Sequence, residues 1–291
     1  MLSNAPPESG APTGSLTDVA RIELSCGSFD ALRAVHFTRR FPPHFHETFA
    51  IGVVESGATR LVTQRGEWIA RAGTTLAFSP GEIHSAEQLL YQGYTYRMFY
   101  PSVEFMQLLG VEPDLTDRRV PVFRAPVIDD ATLAGELLAA HMPVMAGASG
   151  AAAERRLLRA LRNLVRRFAV DGGAPVTDRP LELAAVEKAR AYLHERFADH
   201  VRVATLADEC GLSPFHMMRL FRRVVGVPPY AYLVQLRVNR AQTMLSRGCS
   251  VAEVAYACGF SDQSHLTRTF RRAVGVPPGQ YARQVTHRSV A

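Results

Sequence analysis

The chain has 291 residues, 33 Lys+Arg against 27 Asp+Glu for a formal net charge of +6, and 47 % apolar with 21 % charged residues. That balance is ordinary for a soluble globular protein of one or two domains. No stretch approaches the ~20 apolar residues of a membrane span, and the four cysteines show neither CxxC nor metal-ligand spacing.

The opening MLSNAPPESGAPTGSLTD has no basic start and no apolar core, so it does not read as a secretory signal. Its Pro, Gly and Ser content predicts a disordered arm over 1–19. Strands are predicted at 21–25, 32–37, 47–54, 59–63, 67–70, 75–79, 84–89 and 94–100. Gly57, Gly66, Gly73, Pro80-Gly81 and Gly93 punctuate them, a spacing that argues an all-β barrel or sandwich. The pattern then turns helical at 101–110, at 129–141 (Leu133, Leu137, Leu138) and at 151–169 (Leu157, Leu158, Leu161, Val165, Phe168, with Arg on the other face). The last two predict a hairpin across the Gly-rich break at 147–150. Its Leu stripe must be buried on the barrel or on a second chain; Leu157, Leu161 and Val165 are the candidates for a homodimer contact.

Within the strands, His44 and His46 form H-x-H, which sends both imidazoles to one face. With His84 and a carboxylate they would suit a divalent metal. The PGEIH stretch resembles half of a cupin motif, but metal cupins carry a Glu four or five residues after the second His, where Ile51 and Gly52 stand. Glu47 points the other way. No metal and no cofactor are therefore expected. The residues placed to face the lumen, and so to bind a ligand, are His44, His46, Thr48, His84, Tyr96 and Met98, with Trp68 and Phe78.

DGGAPVTDRP at 171–180 reads as a linker. Beyond it RLFRRVVGVPPYAY (219–232) returns as RTFRRAVGVPPGQY (268–281). The offset is 48 at Cys210/Cys258, Gly211/Gly259 and Ser213/Ser261, and 49 from Arg219/Arg268, so the second copy carries one extra residue. Each copy reads as helix, turn, helix. Ser250 and Glu253 have capping-box spacing, and Thr205 and Asp208 a weaker equivalent. Gly211 and Gly259 are C′ residues, and Ser213 and Ser261 the next N-caps. The second helices bury Met217, Leu220, Phe221 and Val224, or Leu266, Phe270, Ala273 and Val274. They expose Phe215, Met218, Arg219 and Arg222, or Ser264, Thr267, Arg268 and Arg271. Arg there suits guanine and phosphate. Residues 181–291 hold 15 Lys+Arg and 8 Asp+Glu, the other 180 hold 18 and 19; the excess positive charge lies with the repeat.

LADECGLSPFHMMRLFRRVVGVPPYAYLVQLRVNRAQTML and SVAEVAYACGFSDQSHLTRTFRRAVGVPPGQY make residues 181–285 resemble the DNA-binding domain of AraC/XylS transcription regulators. That resemblance implies seven helices, with a long bridge at 230–246 between two helix-turn-helix motifs. By position, Phe215, Met218 and Arg219, then Ser264, His265 and Arg268, match the family's base-contacting sites. H-x-H-E-T-F-A-I-G, P-G-E-I-H-S and Y-R-M-F-Y make residues 20–110 similar to the effector-binding cupin domain that precedes it. The expected fold is thus a two-domain α+β chain. A cupin-like β-barrel with a helical hairpin (20–170) leads through a linker (171–180) to an all-α domain (181–285) and a tail (286–291). The implied function is a cytoplasmic, homodimeric, sequence-specific regulator on double-stranded promoter or operator DNA. It would be controlled by a small-molecule effector, would touch RNA polymerase if it activates, and would not be an enzyme. The alternative is a metal-dependent cupin enzyme fused to a DNA-binding domain. An alkylation-sensing repair protein needs a Cys cluster that Cys26 alone does not supply.

Overall fold

Period-two alternation organises the first half of the chain in the computed structural model, which describes residues 16–110, 120–148, 150–170 and 180–287. Nine strands run β1 Leu16–Leu24, β2 Gly27–Phe37, β3 Phe41–His44, β4 Ala50–Ser56, β5 Ala58–Thr63, β6 Gly66–Arg71, β7 Thr75–Phe78, β8 His84–Gln88 and β9 Tyr94–Tyr100. Residues 16–19, expected in the arm, instead pair with β2 from Leu16↔Val35 onward; the rest of the arm, 1–15, lies outside the described residues. Helix α1 Val103–Gly110 follows, then short strands β10 Val122–Phe123 and β11 Val127–Ile128, helices α2 Ala131–Met145 and α3 Ala151–Phe168, and the short strand β12 Ala169–Val170.

Among the described residues the strands form two large antiparallel sheets, ordered β1-β2-β9-β4-β7-β11 and β3-β8-β5-β6, and a two-stranded sheet of β10 and β12. The fold class is as expected, but the sheets stay open and do not close into a barrel. The chain changes sheet at tight corners such as Gly57 (φ 76°), where a Cβ would sit 2.5 Å from the Gly93 carbonyl oxygen. The outer strand β1 packs against a helix of the second domain instead of pairing with the smaller sheet. The larger sheet is covered on both faces, which explains the unbroken buried runs of β4 and β9. Tyr94, Tyr96 and Met98 face the smaller sheet, while Phe99 faces the helices. On that second face Leu157 and Leu161 are fully buried with Leu133, Leu137, Ile51 and Phe99, and Val165 packs beside them. The stripe offered for a dimer contact is therefore consumed inside its own chain, because an apolar sheet face needs cover.

Seven helices make the second domain: α4 Pro180–Glu195, α5 Val203–Glu209, α6 Pro214–Val225, α7 Pro229–Ser246, α8 Val251–Ala257, α9 Gln263–Val274 and α10 Pro278–His287. Most of the linker (171–179) and the last tail residues (288–291) lie outside the described residues. Ser250 and Glu253 form the complete capping box on α8, whereas Thr205 lies inside α5 and caps nothing, the N-cap being Arg202. Ser213 caps α6. Its counterpart on α9 is Asp262, not Ser261: the carboxylate accepts from the His265 N–H at 2.7 Å. The extra residue of the second copy is spent before this cap. Among the described residues, no helix is long and apolar enough to cross a membrane.

Candidate nucleic-acid interface and ligand cavity

Helices α6 and α9 are amphipathic in the same register. Met217, Leu220 and Phe221, and Leu266, Phe270 and Val274, are buried. Phe215 is 76 % exposed, and Arg219, Arg222, Ser264, Arg268 and Arg271 are exposed beside half-buried Met218, His265 and Thr267. The Arg219 guanidinium lies 5.9 Å over the Phe215 ring. His265 folds back, with Nδ1 3.2 Å from the Ser261 hydroxyl and its ring 5.3 Å from Phe260. The Thr267 hydroxyl donates to the Gln263 carbonyl at 2.8 Å. Of the expected contact residues on α9, the exposed polar ones are thus Ser264, Arg268 and Arg271.

Buried Arg237, on α7, ties the loop between α4 and α5 to the turn of the second motif. Its guanidinium donates to the carbonyls of Phe197 (2.7 Å), Asp199 (2.8 Å) and Gly259 (2.6 Å). Gly259 has φ 71°, and a Cβ there would sit 2.3 Å from the Ala198 carbonyl oxygen. The second turn therefore packs directly onto the loop after α4.

The β-domain holds the same ends of both amphipathic helices. Gln64 Nε2 donates to the Val224 carbonyl at the end of α6 (2.9 Å), and Arg39 Nη1 to the carbonyl of Gly275, the left-handed C-cap of α9 (3.4 Å). Between these points the Tyr281 hydroxyl donates to Asp30, and Asn239 Nδ2 donates to the Phe45 carbonyl at 3.5 Å. Phe45 stacks on Tyr232 at 4.5 Å. Glu47 pairs with Arg240 (3.4 Å) and His194 (3.6 Å).

A cavity of about 300 Å³ opens between the sheets and is closed by the helical domain. His44, His46, Thr48, Phe78, His84, Tyr96 and Met98 all line it, as expected. Trp68 does not: β6 is an outer strand, so the indole packs at the rim, opposite Leu61. The other side comes from Gln235, Asn239, Gln242, Thr243 and Tyr281, which no local pattern links to a pocket. Tyr94 and Tyr100 also line it, and their period-two spacing with Tyr96 and Met98 is the sequence signal for them.

His44, His46 and His84 meet at one end. Each offers one ring nitrogen, all within 4.8 Å of one another. His44 Nδ1 lies 2.9 Å from the Pro42 carbonyl and His84 Nδ1 2.9 Å from that of Glu82. A carbonyl only accepts, so both Nδ1 atoms carry the proton and Nε2 keeps its lone pair. Burial, then the neighbouring His44, pushes His46 down to about 3; burial also lowers His44 and His84. Burial raises the phenols of Tyr96 and Tyr100. The cavity thus presents neutral imidazoles and phenols against the apolar side chains of Leu61, Leu76, Phe78 and Met98. The acid of a cupin-type metal quartet is missing, since Glu47 is engaged across the domain boundary.

Residues 27–165 match the family profile described as AraC-like ligand binding domain, and residues 206–284 the one described as helix-turn-helix domain. The HTH-type transcriptional regulator YbfI of Bacillus subtilis is 29 % identical over 235 residues, 81 % of this chain and 84 % of that protein. The HTH-type transcriptional activator RhaS of Escherichia coli is 37 % identical over 75 residues, 25 % of this chain and 27 % of RhaS. Among solved structures, apo ToxT K231A of Vibrio cholerae superposes with a TM-score of 0.56 at 14 % identity, covering 94 % of this chain and 98 % of that one. Wild-type ToxT with bound unsaturated fatty acid gives 0.52 at 16 % identity, covering 94 % and 97 %. At these identities the ToxT likeness is one of fold.

Proposed function

The chain belongs to the AraC family of transcription regulators, and on that premise we propose how its ligand-binding and DNA-binding domains are coupled. An effector occupies the cavity between the sheets and α7 and α10. α6 and α9 enter successive major grooves of double-stranded DNA, about 34 Å apart. The β-domain, through Gln64 and Arg39, sets how the two helices are held relative to each other. The observation that carries this reading is that the β-domain grips carbonyls at the C-terminal ends of both helices, while both domains wall the cavity.

An effector shifts this protein only by binding one domain arrangement better than the other. A ligand touching both His44 and Asn239 meets that condition, since undocking removes half of its site. The chain acts by binding and not by turnover, in the cytoplasm. A homodimer would use surface other than Leu157 and Leu161, and an activator would also touch RNA polymerase.

The test begins with a thermal-shift screen of sugars, aromatic acids, amino acids and fatty acids, and with DNA selected from a random pool. A compound that raises Tm should also change the affinity for the selected DNA. The double variant Gln64→Ala, Arg39→Ala should still bind the compound but lose that coupling. A compound that stabilises the wild-type chain yet leaves its DNA affinity unchanged would overturn the mechanism. Separately, Arg268→Ala should cost ~1–3 kcal/mol of DNA binding and relax preference at one base pair; unaltered affinity and preference would remove α9 from the groove.

A further inference from the structure

We propose that His44, His46 and His84 form a binding site for a divalent transition-metal ion, and that this ion anchors the effector within the cavity. The ion-binding half stands independently; the anchoring half rests on reading the cavity as the effector site.

Three features carry the proposal. First, three imidazoles converge, His44 and His84 as a cross-strand pair of β3 and β8 and His46 from the segment after β3, with one ring nitrogen of each within 4.8 Å of the others. Zinc–imidazole bonds of about 2.0–2.1 Å place the ligand atoms of a tetrahedral ion about 3.3–3.4 Å apart, so the three rings close in on the ion when it binds. Second, the tautomers of two of the three rings are already set. The carbonyls of Pro42 and Glu82, each 2.9 Å from an Nδ1, hold the proton there and leave Nε2 as the ligand atom. A second-shell acceptor on the far ring nitrogen is how proteins orient metal-binding histidines. Third, the rings are braced. Phe78 stacks on His84 at 3.9 Å and 12°, and Tyr100 lies 5.1 Å from His46.

An all-imidazole set suits zinc, copper, iron or nickel rather than magnesium or calcium. Three protein ligands leave a position open, and all three histidines line the cavity. The open position therefore accepts an oxygen donor of a bound organic molecule. With Glu47 committed to Arg240 and His194, the ion has no nearby carboxylate ligand on this chain among the described groups that cluster there.

The experiment uses the full-length chain without a polyhistidine tag, stripped with EDTA and titrated with Co²⁺. One ion per chain is expected, with the visible d–d absorption of a low-coordinate site. His46→Gln and His84→Gln should each weaken binding at least about tenfold, while exposed His200→Gln binds as the wild type does. Absence of the d–d bands in the wild type, or bands indifferent to His46→Gln and His84→Gln, would overturn the site. If a variant misfolds, X-ray absorption on the zinc-loaded wild type decides instead: a three-imidazole shell supports the assignment and a sulfur-containing shell refutes it. Benzoate, as an oxygen-donor probe, should shift the Co²⁺ bands; a spectrum unmoved by it would refute the anchoring half while leaving ion binding intact.

Discussion

Arg237 shows how a cation becomes part of a core. It is 8 % exposed, and among the described residues no carboxylate forms an ion pair with it. Three carbonyls receive its fork, two from the loop after α4 and one from the second turn. Arg237→Met keeps the apolar stem but orphans those carbonyls. The helical domain should lose ~3 kcal/mol or more, read as a lower urea midpoint, and Lys should not rescue because it lacks the planar fork. A variant within 1 kcal/mol of wild type by the same melts would contradict this role. His141 makes a different case. It is 1 % exposed, accepts from Arg97 at Nδ1 (3.3 Å) and donates to the Leu32 carbonyl (3.1 Å). Burial, then Arg97, pushes its imidazole down to about 4. The unfolded chain therefore takes up this proton first as pH falls. The stability the neutral ring contributes is complete above about pH 6.5 and is lost on acidification towards 4. Between pH 8 and pH 5 the loss should be about 2 kcal/mol from this residue. Denaturant melts across that range should flatten by that amount in His141→Gln; an unchanged pH slope would disprove the assignment.

At the scale of elements, what was legible depended on range. The strands, both helix-turn-helix motifs and the bridge follow from alternation, from the Leu stripes and from a repeat written twice. The second N-cap departs from the letter match of Ser213 with Ser261, because the chain inserts Phe260 and Ser261 where the first copy has only Leu212. The cap that matters passes to Asp262, which aligns with Ser213 at the offset of 49. Asp262→Ala should therefore cost ~1 kcal/mol of α9 stability, and Ser261→Ala much less. Equal losses in thermal melts would restore Ser261 as the cap. Trp68 and the pair Leu157 and Leu161 failed for a related reason. Period two or 3.6 tells which side of an element faces inward, but not whether that side meets a cavity, a rim or the chain's own sheet.

The arrangement of the whole molecule lies furthest from the sequence, because its cavity and latches join residues such as Asp30 and Tyr281, or Phe45 and Asn239, far apart along the chain. The composition still leaves a trace. The cationic surplus sits in the helical domain, and several of its cations face the other domain: Arg240 meets Glu47. Apolar packing matters more than these exposed pairs. The second helix-turn-helix and the interior of the two sheets share one continuous cluster, from Val19, Phe37 and Met98 to Phe270, Val274 and Tyr281. Domains that share a core unfold together. Wild-type chain should give a single calorimetric transition with equal calorimetric and van't Hoff enthalpies. Val274→Asp places a charge where α9 enters that cluster and should split the transition in two, with the Leu157 and Leu161 core of the sheet and hairpin holding one half together. Two separate transitions already present in wild type would mean that the domains are independent, and the cavity between them could not transmit a ligand's binding energy to α6 and α9.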